Sequence, residues 1–240
     1  MDDETSVPAT STVLGAPLNK LRALEFGLVF LIVFAPLLAV SIYAVTTGSN
    51  LGGSTPGKAF TLSGILTEVS ALALLRYVLL RQGRNFRSLG LWFSWKDILR
   101  SVLLIVLGYI AFIAWWFSIV AIYRGLGRPL NSAPQNVEFM SGMLSILGVL
   151  FLLLNPFFEE LIVRAYVISE VQFFTGSSFL AILVSVAIQS SYHLYQGLVP
   201  ALLTTSLFTV FSLYYVRTKR ITPVIIAHMF FDFLALAVRR

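Results

Sequence analysis

The sequence predicts an all-α protein, a polytopic bundle of seven or eight transmembrane helices. Of its 240 residues, 58% are hydrophobic and only 12% are charged, which leaves too little polar surface for a water-soluble domain. The apolar residues form long runs rather than alternating ten-residue segments, so they indicate helices and not a β-barrel. The chain contains no cysteine, which excludes disulfides and thiol catalysis. We therefore expect an integral, multi-pass membrane protein.

The N-terminal segment differs from the rest of the chain. Residues 1–19 are polar, rich in Ser and Thr, and carry three acidic residues directly after Met1, whereas a signal peptide needs a basic start followed by an apolar stretch. We interpret them as a disordered cytoplasmic tail in front of a single helical domain over residues 20–240. The domain contains apolar runs at residues 23–47, 59–80, 98–123, 139–158, 179–195, 198–216 and 222–238.

The distribution of charge predicts the topology. Basic residues gather in three segments beside the predicted spans: Lys20 and Arg22, residues 81–100, and residues 217–220. Because cytoplasmic loops of membrane proteins are enriched in Lys and Arg, we expect these segments and the N-terminus on the cytoplasmic side. Loops 48–57 and 126–137 are rich in small and polar residues and are expected on the opposite side. The net charge of +6 thus indicates topology and contact with membrane lipids, not nucleic-acid binding.

The number of helices depends on the fourth apolar run. Residues 139–174 are too long for one straight span, and the pair Asn155-Pro156 is expected to kink or break the helix. This segment decides between seven helices and eight.

Three charges interrupt the apolar stretch FLLLNPFFEELIVRAY at residues 151–166. Each charge at the centre of a bilayer costs about 2.5–3.5 kcal/mol on insertion scales, so such residues usually have a function. Glu160 and Arg164 are four positions apart and can pair on one face of a helix. Glu159 points about 100° away and needs a different partner.

The remaining rare polar residues lie on two later spans. His193 ends one apolar run, and His228 and Asp232 lie one helical turn apart in another. A lone membrane histidine or a Glu–Arg pair is often an interhelical clamp. The whole set, with Glu159 left unpaired, instead favours one polar pocket to which three helices contribute. Straight helices would place His193 about 22 Å and His228 about 9 Å along their spans, so tilt or a break must bring them together.

Such a pocket predicts hydrolysis. A glutamate and a histidine that contact one water can activate it as general bases, while a second histidine and a polar neighbour stabilise an oxyanion. The same side chains could instead ligate Zn²⁺, with Glu159, His193 and His228 as the ligands. No cofactor is expected in the first case and Zn²⁺ in the second. The sequence lacks the H-E-x-x-H motif of zinc proteases and the G-x-S-x-G serine elbow.

In the second span, we interpret Glu68 and Arg76 as structural.

The polar motifs resemble those of a known family. E-E-x-x-x-R at residues 159–164, a histidine at a helix end, and H-x-x-x-D at residues 228–232 resemble the CPBP (Abi) family. This family includes type II CAAX prenyl endopeptidases and bacteriocin-processing and immunity proteins. The resemblance covers about residues 139–238, the motif-bearing core of the predicted domain.

The resemblance implies an all-helical intramembrane peptidase and a role for each motif residue. It implies Glu159 as the catalytic glutamate, His193 as its partner in activating water, His228 and Asp232 as the oxyanion side, and Glu160 and Arg164 as a supporting pair. Two positions depart from the family pattern: Gln189 replaces the usual phenylalanine of F-x-x-x-H, and Asp232 replaces the commoner asparagine. Because an ionised carboxylate repels an oxyanion, Asp232 must be protonated, pair with His228 or hold a metal.

The leading functional hypothesis is therefore an intramembrane endopeptidase acting on a membrane-associated peptide or lipidated protein. The first alternative is a non-catalytic immunity or scaffold protein that binds a partner through the same cavity. A transporter that uses the carboxylates and histidines as an ion relay is the second alternative, and the absence of visible internal repeats counts against it.

Overall fold

The computed structural model describes residues 15–48, 58–129 and 145–238, which form seven helices and no strand. In chain order the helices are α1 (Gly15–Val29, continuing through a π-helical turn at Phe30–Phe34 into Ala35–Thr47), α2 (Lys58–Arg81), α3 (Lys96–Gly125), α4 (Ile146–Glu159, continuing through a π-helical segment at Glu160–Tyr166 into Val167–Thr175), α5 (Ser178–Tyr192), α6 (Leu198–Thr218) and α7 (Thr222–Val238). Short 3₁₀ turns lie at Phe86–Leu89 and Leu194–Gln196.

Six helices, α1 to α6, are long and apolar enough to cross a membrane, and α7 is a shorter apolar helix. The outward faces are apolar as well: Leu99 and Phe117 on α3 are 74% and 65% exposed. Exposed apolar surface of this extent is what lipid-facing helices present. The protein is therefore an integral membrane protein, and the predicted all-α bundle is confirmed, with seven helices among the residues described.

The first helix begins earlier than the predicted tail boundary. Residues 1–14 of the tail lie outside the described residues, whereas residues 15–19 already belong to α1. Pro17 is compatible with this start, because the first N–H groups of a helix have no partner within the helix.

Helix α4 does not break at Asn155-Pro156, contrary to one of the two predicted outcomes. Pro156 lies inside the α-helical part, and the chain continues without interruption to Thr175. The irregularity follows one turn later, as the π-helical segment Glu160–Tyr166. Two neighbouring helices bind carbonyls of this segment: Ser185 Oγ donates to Val163 O at 2.8 Å, and the Tyr215 hydroxyl lies 3.4 Å from Ala165 O. Single π-helical turns of this kind are common at functional sites.

The π-helical segment lies in the centre of the bundle. Residues 161–168 are all buried, and α4 packs against α2, α5 and α7. Helices α5 and α6 pack against each other, and α3 closes the far side by packing on α6 and α7. Polar side chains on α4 therefore face other helices and not lipid.

The three basic segments lie at one end of the bundle. The buried carboxylate of Glu170 near the end of α4 accepts hydrogen bonds from Arg22 (2.6 and 2.9 Å) and Arg84 (2.6 Å). At the same end, Arg220 pairs with Asp97 and its guanidinium stacks 3.3 Å above the ring of Trp92. The expectation that these segments share a side agrees with this arrangement, while their cytoplasmic orientation stays a prediction. Most of the two opposite loops, residues 49–57 and 130–137, lies outside the described residues.

A close backbone contact fixes the turn between α6 and α7. Gly90 has φ +86°, and a Cβ atom there would lie 2.1 Å from the carbonyl oxygen of Lys219. The N–H of Ile221 donates to the carbonyl of Gly90 at 3.2 Å. Only glycine allows both this conformation and this approach. The segment between α2 and α3 thereby positions the start of α7.

Candidate active site

The two adjacent glutamates of α4 have different partners, as the helical geometry predicts. Glu160 forms a two-pronged ion pair with Arg164, at 2.8 Å to Nε and 3.1 Å to Nη2, and both side chains are fully buried. Glu159 is the last residue before the π-helical segment, is 4% exposed, and makes no bond to Arg164. The supporting pair therefore leaves the Glu159 carboxylate available to other groups.

Arg164 is held from three sides. Besides Glu160, its guanidinium donates to Ser212 Oγ at 2.8 Å and to the carbonyl of Phe208 at 3.2 Å, both on α6. It also donates to the side-chain oxygen of Gln189 on α5 at 2.7 Å. A buried guanidinium needs such a full set of acceptors. Arg164 thereby joins α4, α5 and α6 around the glutamates.

Both histidines meet the Glu159 carboxylate. His193 Nε2 lies 3.8 Å from Oε1, and His228 Nε2 lies 3.9 Å from Oε2. The three stretches of chain that carry the motifs thus converge on one largely buried cluster. The cluster holds the six residues predicted for the site: Glu159, Glu160, Arg164, His193, His228 and Asp232.

The two histidines reach Glu159 from different positions along their helices. Helix α5 ends at Tyr192, so His193 lies at its C-terminus, and the 3₁₀ turn Leu194–Gln196 with Gly197 at φ +102° returns the chain into α6. His228 lies only six residues into α7, which starts at Thr222. Since both rings face Glu159, the beginning of α7 lies nearer to the site than the beginning of α5. This offset resolves the difference in depth expected for two straight helices that start level.

His193 is positioned by packing. Its ring lies 4.9 Å from that of Tyr192 and 5.2 Å from that of Phe208, measured between centroids. The Ser41 hydroxyl of α1 donates to the carbonyl of Tyr192 at 2.7 Å and fixes the turn. Both ring nitrogens of His193 are buried and make no hydrogen bond to any residue that the structure describes. They are therefore free to bind a water or a substrate.

His228 is positioned by hydrogen bonding. Its Nδ1 lies 2.8 Å from Glu160 Oε1, which fixes the ring plane, and its Nε2 lies 3.7 Å from Asp232 Oδ1. The other Asp232 oxygen, Oδ2, is buried and has no hydrogen-bond partner in residues 15–48, 58–129 and 145–238. Glu160 therefore acts on both Arg164 and His228, a link that the pairing argument from sequence did not include.

Residues 141–234 match the family described as Type II CAAX prenyl endopeptidase Rce1-like. This segment is an Rce1-like domain. The resemblance to the CPBP family is confirmed for this part of the chain, which contains all six motif residues. No curated protein and no solved structure matches the chain.

One residue of the site was not assigned to it from sequence. Gln189, noted only as a departure from the family pattern, is fully buried inside the Rce1-like domain and contacts both Glu159 and Arg164. Glu68 of α2, interpreted as structural, is 5% exposed, its Oε2 has no hydrogen-bond partner among the described residues, and it lies within electrostatic range of Glu159 and Asp232. Arg76, interpreted as structural as well, is exposed.

The metal-dependent alternative can be compared with the geometry. Within the described ranges, no group of three or more His, Cys, Asp or Glu side chains is arranged to hold a metal ion. In the Rce1-like domain, His228 Nδ1 already faces Glu160 and Glu159 Oε2 accepts from Gln189. Two of the atoms that a metal would need are therefore already engaged by protein groups.

Proposed function

We propose that the protein is an intramembrane endopeptidase in which Glu159 and His193 activate a water molecule. The observation that carries the proposal is the 3.8 Å distance between Oε1 of the buried Glu159 and the buried Nε2 atom of His193. A water oxygen at about 2.8 Å from both atoms fits this gap. In that position Glu159 takes the proton as general base while the imidazole orients the water.

In the proposed reaction, His228 stabilises the oxyanion. Attack of the water on a peptide carbonyl creates a tetrahedral oxyanion, which needs donors at about 2.7–3.1 Å. Because Nδ1 of His228 faces Glu160, donation from Nε2 to an oxyanion requires both ring nitrogens to carry protons. Glu159 then delivers the proton taken from water to the leaving amine.

The family match supports a peptide as the substrate, because it is a family of CAAX prenyl endopeptidases. We propose a membrane-associated or lipidated peptide as the substrate class. A cavity of about 230 Å³ between α5 and α6 adjoins the turn that carries His193 and is lined by Ala187, Ser190, Ser191, Leu194, Ala201, Leu202 and Thr205. Its lining combines small apolar side chains with the hydroxyl-bearing Ser190, Ser191 and Thr205, which suits an extended chain that approaches from the membrane.

The proposal is tested by comparing peptides from cells that express the wild-type protein, E159Q, or the matched control E25Q. Glu25 is a buried glutamate of α1, near the basic end of the bundle, that pairs with Arg81. We expect peptides that depend on wild type and E25Q and are absent with E159Q at equal membrane expression. If E159Q performs the biological task in full, the protein is a non-catalytic binding protein.

The substrate class is tested on the purified protein. Peptides with a C-terminal CAAX sequence are offered with and without a prenyl group, beside a membrane-spanning peptide without that sequence. Cleavage only of the prenylated form supports the CAAX type of endopeptidase. Cleavage only of the spanning peptide supports a protease of different specificity with the same chemistry.

A further inference from the structure

Gln189 occupies a central position between the two charged groups of α4. It lies on α5 one helical turn before His193 and is fully buried. Its Nε2 donates to Glu159 Oε2 at 2.7 Å, and its Oε1 accepts from Arg164 Nη2 at 2.7 Å. Both ends of one amide are therefore used.

The chemistry of the neighbours fixes the direction of this amide. A guanidinium has only donors, so the side-chain oxygen of Gln189 must face Arg164. The amide NH₂ must then face Glu159, which has to offer an acceptor oxygen. In the reverse orientation the amide NH₂ of Gln189 would face the N–H donors of Arg164. The amide oxygen would then face a carboxylate oxygen of Glu159, so neither contact would be a hydrogen bond. The hydrogen bond to Arg164 therefore determines that Gln189 donates, and does not accept, a hydrogen bond at Glu159.

The hydrogen bond from Gln189 determines which oxygen of Glu159 can react. The bond from Gln189 is the shortest polar contact of Glu159 in the described residues, 2.7 Å against 3.8 and 3.9 Å to the histidines. It holds Oε2 and leaves Oε1 facing His193. An unrestrained carboxylate could rotate and lose this alignment.

We propose that Gln189 is a positioning residue that fixes the Glu159 carboxylate with Oε1 directed at the water site beside His193. It does so by linking Glu159 to the pair formed by Glu160 and Arg164. The aromatic residue usual at this position in the family could not form either hydrogen bond. The kinetic part of this proposal rests on the proposed function, and its spectroscopic part does not.

Two substitutions separate positioning from packing. Q189M keeps the volume and loses both hydrogen bonds. Q189E keeps the shape and the contact with Arg164 but places a second carboxyl group against Glu159, where the two groups must share a proton and Glu159 is weakened as a base. We expect kcat to fall about 10- to 100-fold in Q189M with KM unchanged, and to fall in Q189E as well. A role in packing alone predicts that Q189M, which keeps the volume, stays close to the wild-type kcat. Q172M is the matched control, because Gln172 binds Ser178 and Lys219 away from the site.

The two histidines of the chain allow a readout that needs no substrate. With ¹⁵N-labelled histidine, each imidazole gives its own signals at a fixed pH. Because Glu159 lies 3.8 and 3.9 Å from the two Nε2 atoms, release of its carboxylate should shift the signals of both rings in Q189M and Q189E. Q172M should leave them unchanged. Q189E is nearly isosteric and retains a partner for Arg164, so it provides the comparison if Q189M does not fold.

The outcomes are distinct. Unchanged imidazole signals in both Gln189 variants, or a Q189M enzyme with the wild-type kcat, would overturn the positioning role. Shifted signals in a protein that shows no Glu159-dependent cleavage would retain the positioning role and defeat the proposed function. Unchanged signals together with cleavage lost in E159Q would defeat only the role of Gln189.

Discussion

His193 Nε2 lies 3.8 Å from Oε1 of Glu159, although His193 ends α5 and Glu159 lies in the middle of α4. The histidine is held by aromatic packing and by a turn anchored to α1, and neither of its ring nitrogens forms a hydrogen bond within the described part of the chain. This arrangement favours catalysis over a structural clamp. A clamp would use a direct hydrogen bond, whereas a gap of this size is suited to a shared water.

Replacing His193 should therefore remove activity without removing the fold. We expect H193N to lower kcat by about 10²–10⁴-fold, the usual contribution of a general acid–base group. Rates on a peptide found in the cellular comparison provide the measurement, and Q196N in the same turn is the control. If H193N keeps more than a tenth of wild-type kcat, His193 does not activate the water.

The pair of Glu160 and Arg164 should behave as one unit. Loss of one partner of a buried ion pair typically costs about 3–5 kcal/mol, because the other charge stays buried without compensation. We expect E160L and R164M each to lower stability by this amount, measured by thermal unfolding in detergent. The double variant E160L/R164M should be more stable than either single variant. Additive losses in the double variant would show that the two charges are not coupled.

Sequence patterns were sufficient for the helices and for the charged residues and histidines that meet in the cluster. Apolar runs mark the spans because the bilayer requires about twenty apolar residues per helix. The cost of intramembrane charge marks Glu159, His228 and Asp232 for the same physical reason. These arguments predict that the groups meet, since each would be unfavourable alone.

The patterns could not predict how the groups meet. Helical periodicity reports the face of a residue and not the height of one helix relative to another, so the offset between α5 and α7 depends on tertiary contacts such as that of Gly90 with the α6–α7 turn. The role of Gln189 could not be predicted because an uncharged amide carries no large cost of insertion into the membrane. Its role also depends on two partners from another helix. Glu68 lies outside the matched motifs, and its neighbours Glu159 and Asp232 come from distant parts of the chain.

Gly90 should be sensitive to a single methyl group. In G90A, a Cβ atom at a positive φ would also collide with the carbonyl of Lys219. We expect a loss of about 2–5 kcal/mol, the sum of backbone strain and overpacking. The control is G83A, where φ is +66° and the added Cβ meets nothing within 4 Å, so only about 1–2 kcal/mol of strain should appear. Equal melting temperatures for the two variants would contradict a structural role of the close contact.

Metal removal should leave the enzyme active. The proposed mechanism uses Glu159 and His193 without a metal, and the described residues hold no group arranged for one. We expect substoichiometric zinc by elemental analysis of the purified protein and undiminished activity after treatment with a chelator. One zinc ion per chain, together with activity lost on chelation and restored by Zn²⁺, would replace the water-activation scheme by the metal-dependent one.

Replacing the carboxylate of Asp232 by an amide should maintain or increase the rate of cleavage. Its Oδ1 lies 3.7 Å from His228 Nε2, beyond hydrogen-bonding distance, and its Oδ2 has no hydrogen-bond partner among the residues described. A carboxylate here opposes the negative charge that develops on the oxyanion, whereas the asparagine commoner in the family would donate a hydrogen bond.

We therefore expect D232N to match the wild-type kcat or to exceed it by up to about tenfold, because an added donor to the oxyanion is worth about 1 kcal/mol or more. D232A supplies neither donor nor acceptor and should be slower than D232N. Rates are compared on the same cleaved peptide, with thermal unfolding as the check on folding. If D232N loses activity as D232A does, the carboxylate itself is required, and its task is to charge His228 rather than to face the oxyanion.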